Sequence, residues 1–140
     1  MKILVAVDGS APSVAMLKQL CERLAWFREN PQLVLLYVHP ALPYKRAVAW
    51  AGKDAVHQYY EEESEAALTP ARELLAQHGV AYEVEKQVGD PAAEIVRVAG
   101  SGYDLVAVGT HGHTGLTGLV MGSVATKVIA SSPVPVLLLR

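Results

Sequence analysis

The sequence predicts an α/β fold: one three-layer α/β/α domain over residues 1–140, with a five-stranded parallel sheet of order 3-2-1-4-5 and four helices. Strand-like apolar runs alternate with segments of helical spacing along the chain, the pattern of a parallel sheet covered on both faces. Two of the runs, 3–7 and 105–108, are apolar at every position, as strands buried on both sides must be. A glycine-rich stretch joins the end of one strand to the start of a helix, the kind of junction at which such sheets receive ligands.

The first strand, near 2–7, is apolar from Ile3 to Val7 and belongs at the centre of the sheet. Asp8-Gly9 makes a turn and Ser10 serves as helix N-cap. The helix near 11–28 puts Val14, Leu17, Cys21 and Leu24 on one apolar face, where Cys21 is a packing thiol and not a nucleophile. After a strand near 32–38, the stretch from Pro40 to Gly52, with Lys45, Arg46 and Trp50, reads as a solvated connection on the ligand side of the sheet, placed where a lid would lie. The helix near 53–78 carries Glu61, Glu62, Glu63 and Glu65 on a solvated face.

In the strand near 80–88, Val80, Tyr82, Val84 and Val88 alternate with Ala81, Glu83, Glu85 and Gln87, the period of a half-exposed edge strand. Asp90 and Pro91 open the helix near 91–100 as N-cap and first residue. The strand near 103–109 contains Leu105-Val106-Ala107-Val108. In the helix near 122–131, Val124 and Val128, like Ala125 and Ile129, stand four apart. The last strand, near 134–139, is apolar, but Pro135 cannot donate to a ladder and so marks an edge.

With the third and fifth strands at the edges, the order 3-2-1-4-5 follows, and chain direction reverses between the first and fourth strands. Open α/β sheets bind ligands at that switch point, outside the carboxyl ends of the strands. The loops meeting there are Asp8-Gly9-Ser10 and Gly109 to Gly112. A long apolar edge at Val134, Val136 and Leu138 invites aggregation unless covered, and two-fold pairing with a second copy is the economical cover.

Gly109-Thr110-His111-Gly112 is followed, after the nine residues His113 to Met121, by Gly122-Ser123. Glycine lets backbone approach a ligand with no Cβ in the way, and a helix N-terminus offers unpaired N–H groups and partial positive charge. Taken singly, each glycine is an ordinary turn or cap residue; gathered at one strand-to-helix junction, they frame a phosphate. Neither G-x-x-x-x-G-K-[ST] nor G-x-G-x-x-G occurs in the chain.

The spacing Gly109-x2-Gly112-x9-Gly122-Ser123 resembles the G-2x-G-9x-G-[S/T] motif of the nucleotide-binding branch of the universal stress proteins. The resemblance spans the chain: Ile3 to Ser10 is similar to that family's opening strand and turn, and Pro133 to Arg140 to its closing strand. It implies ATP, or ADP or AMP, as cofactor, accompanied by Mg2+, in a cytoplasmic stress-response regulatory module that hydrolyses ATP slowly at most. It also implies a homodimer joined through the last strands, with Val134, Val136 and Leu138 at the contact. Gly109, Gly112, Gly122, Ser123 and Val124 match positions that wrap ribose and phosphates. Val7, Asp8 and Val38 match positions beside the adenine, with Asp8 near the nucleotide or a metal. Gly9, Val108, Thr110 and His111 complete the expected nucleotide-binding set, and no metal ligand is directly assigned.

Two positions depart from the family. Ala125 stands where several nucleotide-binding members have a hydroxyl reaching the terminal phosphate, and His113 replaces an often basic residue, making charge compensation there dependent on pH. Both bear on ATP against ADP or AMP more than on nucleotide binding itself.

Composition narrows the alternatives. With 51% hydrophobic and 19% charged residues, the chain falls among packed globular proteins. A net charge of -2 leaves no electrostatic footprint for nucleic acid or an anionic membrane. No apolar run approaches the roughly eighteen residues of a membrane span. Met1-Lys2-Ile3 enters a strand without signal-peptide architecture, and the lone Cys21 excludes an internal disulfide, so the expected compartment is the cytoplasm. His111 and His113 have no nearby cysteine or carboxylate to complete a zinc site and read as phosphate-facing donors or loop residues.

Phosphoryl transfer needs a positioned nucleophile and charge neutralisation; Asp8 is the single candidate, and no lysine or arginine precedes Lys127 in the phosphate loop, so holding a nucleotide is favoured over consuming it. A nucleotidyltransferase is the enzymatic alternative, but His111-Gly112-His113 follows the fourth strand, whereas the histidine motifs of those enzymes follow the first. A nucleotide-free dimeric interaction module is the other alternative, and the intact glycine motif disfavours it.

Overall fold

The central strands form where the sequence has no polar side chain that must reach water. In the computed structural model, which describes residues 1–112 and 121–140, β1 (Lys2–Ala6) and β4 (Leu105–Gly109) run in parallel with Ile3 opposite Leu105 and Val5 opposite Ala107. β2 (Gln32–His39) flanks β1, and β3 (Tyr82–Val88) and β5 (Val136–Leu139) close the two edges, giving the parallel order β3-β2-β1-β4-β5. Pro135 sits just before β5, where its carbonyl accepts from the Val106 N–H at 3.0 Å, the ladder role a proline retains.

Strand alternation divides the core into two layers. Ile3, Val5, Leu33 and Leu35 face α1 (Ala11–Glu22) and α3 (Lys53–Gln77), meeting Met16, Leu17, Leu20, Leu68 and Leu75. On the other face, Leu4, Val34, Leu36 and Val106 meet Ile95, Val98 and Val128 of α4 (Pro91–Ala99) and α5 (Ser123–Ser131). Both expected caps form. The Asp90 side chain accepts from the Ala93 N–H at 3.0 Å, and the Ser10 hydroxyl accepts from the Ser13 N–H at 3.3 Å.

Several local features differ from the sequence reading, among them the start of β4 at Leu105 instead of 103. The first helix stops at Glu22, because Arg23 adopts φ -112° and its N–H turns back onto the carbonyls of Leu20 and Cys21; a 3-10 turn, Leu24–Trp26, then carries Leu24 and Phe27 onto the core. β3 begins at Tyr82 instead of 80. β5 begins at Val136 instead of 134, because the Ser132 hydroxyl donates to the Val134 carbonyl at 2.7 Å and accepts its N–H at 3.3 Å, diverting that backbone from the ladder. The connection from Pro40 to Gly52 contains a short helix, α2 (Tyr44–Ala51), which ends on Gly52 at φ 83°.

Cys21 is half-buried against the α1-side core, and that burial pushes its thiol up from the ordinary range, in keeping with a packing role. Gly9 makes the tightest backbone approach beside the sheet: at φ 80°, a Cβ built on it would lie 2.9 Å from both Cα and the carbonyl oxygen of Ala67 in α3. Among the described residues, no helix is long and apolar enough to cross a membrane.

Candidate functional site

The chain leaves β1 toward α1 on one face of the sheet and β4 toward α5 on the other, so the backbones part at the carboxyl ends of these neighbouring strands. A cleft of about 360 Å³ opens there, within the range of small-molecule sites. Its walls are apolar: Val7, Leu36, Val38 and Val108 come from the strand ends, and Pro91 and Ile95 from the first turns of α4. Its polar end is formed by Asp8, Gly109 to Gly112 and the start of α5.

Asp8 is fixed by its own turn. Its Oδ1 accepts from the Ser10 N–H at 3.0 Å and the Ser10 hydroxyl at 2.6 Å, while its N–H donates to the Ser13 hydroxyl at 3.2 Å. The second carboxylate oxygen faces the glycine loop, since a Cβ on Gly112 would fall 2.5 Å from Asp8 Oδ2. Two segments about a hundred residues apart in sequence thus share one end of the cleft. Gly109 is confined less tightly, with the His111 carbonyl 3.2 Å and Met16 Cβ 3.6 Å from where its Cβ would stand.

The α5 end supplies donors. Gly122 is the N-cap, in extended geometry at φ -60° and ψ 151°, and has no side chain with which to cap the first turn. Among the described residues, no side chain caps the N–H groups that begin α5, and Gly122, Ser123, Val124 and Ala125 all line the cleft. The Gly122 N–H donates to the Thr110 carbonyl at 2.8 Å, drawing both arms of the site together. The Thr110 N–H donates to the Leu139 carbonyl at 2.9 Å, and its hydroxyl lies 2.9 Å from His111 Nδ1. Tyr37 also borders the cleft; burial foremost, then the negative charges of Glu63 and Asp8, raises its phenol and keeps it neutral.

Of the residues singled out in the sequence, Val7, Asp8, Val38, Val108, Gly109, Thr110, His111, Gly112, Gly122, Ser123 and Val124 line this cleft. Gly9 does not; it packs against α3. His113 lies outside the described residues. Sequence reasoning missed Ala6, Ser13, Leu36, Tyr37, Pro91 and Ile95, whereas Pro40 begins the segment it placed on the ligand side. A signal for two of these was present: Pro91 and Ile95 stand four apart at the start of a helix that follows a parallel strand, which aims that helix face at the ligand end of the sheet.

Among the described residues lining the cleft, Asp8 is the sole carboxylate and there is no lysine or arginine. Among the described residues, no group of three or more histidine, cysteine, aspartate or glutamate side chains is placed to hold a metal. Apolar walls leading to a glycine-framed helix N-terminus suit a molecule with a flat apolar part and an anionic tail.

Comparison with known proteins bears on family and fold. The Universal stress protein family profile matches residues 1–140. The universal stress protein MJ0531 of Methanocaldococcus jannaschii is 31% identical over 140 residues, covering 99% of this chain and 81% of that protein. The solved structure of MJ0577, from the same organism, matches with a TM-score of 0.76 at 28% identity, over 99% of this chain and 94% of its own. The universal stress protein of Archaeoglobus fulgidus, solved in complex with dAMP, shares the fold at a TM-score of 0.69 and 20% identity, over 100% of this chain and 98% of its own.

Proposed function

The chain belongs to the universal stress protein family, and on that premise we propose that its cleft holds an adenine nucleotide, as ATP, ADP or AMP, in a homodimeric cytoplasmic regulatory module of the stress response. The carrying observation is the convergence of Gly109, Gly112 and the glycine-capped start of α5 at the carboxyl ends of β1 and β4. Phosphate sits against the first turn of α5, where N–H donors and the helix dipole meet it. The base lies between the walls made by Val7, Val38 and Val108. The dAMP complex of the Archaeoglobus fulgidus protein supports a purine nucleotide as the ligand class.

Mg2+ fits as a companion of the phosphates and not as a resident ion. It keeps several waters and commonly uses one or two carboxylates with substrate phosphates, and Asp8 supplies one. Hydrolysis is slow at most in this reading, because Asp8 Oδ1 is engaged by Ser10 and no described lining residue is a lysine or arginine to stabilise a departing phosphate.

Denaturing the purified protein should release an adenine nucleotide identifiable by chromatography, and the stripped protein should titrate saturably with ATP, ADP or AMP, with or without magnesium. Absence of both results overturns the assignment.

The homodimer reading rests on β5, a parallel edge strand on which Leu138 is exposed and Val136 partly buried, with Val134 partly buried just before it. Replacing Val136 and Leu138 together with glutamate should halve the sedimentation mass. A mass unchanged by the double substitution counts against pairing through this strand.

A further inference from the structure

The connection from Pro40 to Gly52 is fastened at its two ends and loose between them. At the near end Pro40 lines the cleft, and its carbonyl lies 2.7 Å from Nδ1 of the buried His39. The His39 ring is set edge-on among Tyr37, Tyr59 and Tyr60, at centroid distances of 6.2, 5.5 and 4.8 Å. Leu42 is fastened next, its N–H donating to the Tyr60 hydroxyl at 3.0 Å. At the far end Gly52 alone separates α2 from α3: its N–H donates to the Val48 carbonyl at 3.0 Å, and its carbonyl accepts from the Val56 N–H at 3.3 Å. With φ at 83° and nothing within 4 Å of a Cβ built on it, Gly52 has room to change its dihedrals, as a hinge must.

Between these ends α2 is weakly held. Its N-cap, Pro43, makes no side-chain cap, and eight residues are too few for a helix to persist on propensity alone. Val48 is half-buried, whereas Lys45, Arg46, Ala49 and Trp50 are exposed and share one side of the helix. Trp50 is 95% exposed and, among the described residues, its ring has no aromatic or cationic partner. Trp26, the other tryptophan, is 76% exposed but carries the Arg23 guanidinium 5.4 Å over its ring.

We propose that α2 is a strap that closes over the occupied cleft and lays the Trp50 indole on the base of the bound nucleotide. The closure rests on the adenine-nucleotide reading of the cleft and adds the element that covers the base. Val7, Val38 and Val108 wall the cleft from the strand ends, and Pro91 and Ile95 from α4; a flat aromatic surface on the strap is the matching cover. Base–aromatic stacking supplies the gain in free energy, and the bare indole in the open state supplies the surface. Lys45 and Arg46, beside Trp50 on the same side of α2, give that side a charge complementary to a phosphorylated ligand. Four residues from Pro40 to α2 reach about 14 Å, and α2 adds about 12 Å, enough to cross a site for one nucleotide.

The two tryptophans make the test internal. The turn that carries Trp26 precedes β2 and lies at the amino ends of the strands, away from the cleft, so the Trp26→Phe protein reports on Trp50 and the Trp50→Phe protein on Trp26. Fluorescence is followed during titration with AMP and with ATP, with acrylamide as quencher and occupancy measured by calorimetry. Nucleotide should quench the emission of the Trp26→Phe protein and shield it from acrylamide, and should leave that of the Trp50→Phe protein unmoved. Trp50→Ala, a change at an exposed side chain, should weaken nucleotide binding at least about fivefold, whereas Trp26→Ala should leave it unchanged.

Nucleotide bound while Trp50 stays as open to acrylamide as before, or bound with undiminished affinity by Trp50→Ala, would overturn the strap and leave the nucleotide site standing. Shielding of Trp50 that follows protein concentration and not nucleotide would give this side of α2 to a second copy and equally overturn closure. No binding of AMP or ATP by the unmodified protein would remove the site, and the strap with it.

Discussion

Gly9→Ala should destabilise the domain by about 3 kcal/mol, lowering its melting temperature by roughly 10 °C. Two effects add. At φ 80° an L-residue enters the left-handed region, which costs about 1–2 kcal/mol. The new Cβ would also stand 2.9 Å from Cα and the carbonyl oxygen of Ala67. These are backbone atoms of a helix packed against the sheet, so no side-chain rotation relieves the contact. Gly79→Ala is the natural control: its φ is 64°, but no atom lies within 4 Å of the added Cβ, so it should show the conformational part alone, about 1 kcal/mol. Urea denaturation of both variants measures the difference. Equal losses would mean that the approach of Gly9 to α3 is not a constraint on the fold.

Gly122→Val should have the opposite profile, a large loss of nucleotide affinity with a modest change in stability. Gly122 has φ -60° and ψ 151°, a conformation open to any residue, so the backbone accepts the substitution. Its added Cβ would meet the Thr110 carbonyl at 3.2 Å, and the valine methyls would crowd the start of α5 where phosphate is expected. Affinity should fall by more than about tenfold, whereas the weaker N-cap should cost about 1 kcal/mol of stability. Unchanged affinity in a calorimetric titration would remove the phosphate site from the start of α5 and leave the fold untouched.

Gly9 and Gly122 also show where sequence reading succeeds and where it stops. The strand order was legible because two local signals marked the edges: alternation in the third strand and Pro135 before the fifth. Once the order was fixed, the meeting of Asp8 with the glycine loop followed from topology, and the structure places Oδ2 against Gly112. Side-chain direction at a turn has no comparable periodicity. Gly9 and Gly112 are both glycines just beyond central strands, yet one packs on Ala67 and the other borders the cleft. The contribution of Pro91 and Ile95 depends on how α4 settles on the sheet, and its cap signal fixed only where that helix begins. The late start of β5 came from one hydroxyl, that of Ser132, competing for backbone groups that apolar patterning alone assigns to the ladder.

The hydrogen bond from the Thr110 N–H to the Leu139 carbonyl ties the glycine loop to the outermost strand of the sheet. Leu139 does not line the cleft, yet it pairs with Gly109, which does. Fraying at that edge loosens the floor under Thr110, and whatever steadies the edge steadies the loop. The sheet margin and the cleft's polar end are therefore joined twice over, through the pairing of Val108 and Gly109 with Leu138 and Leu139 and through this further backbone bond.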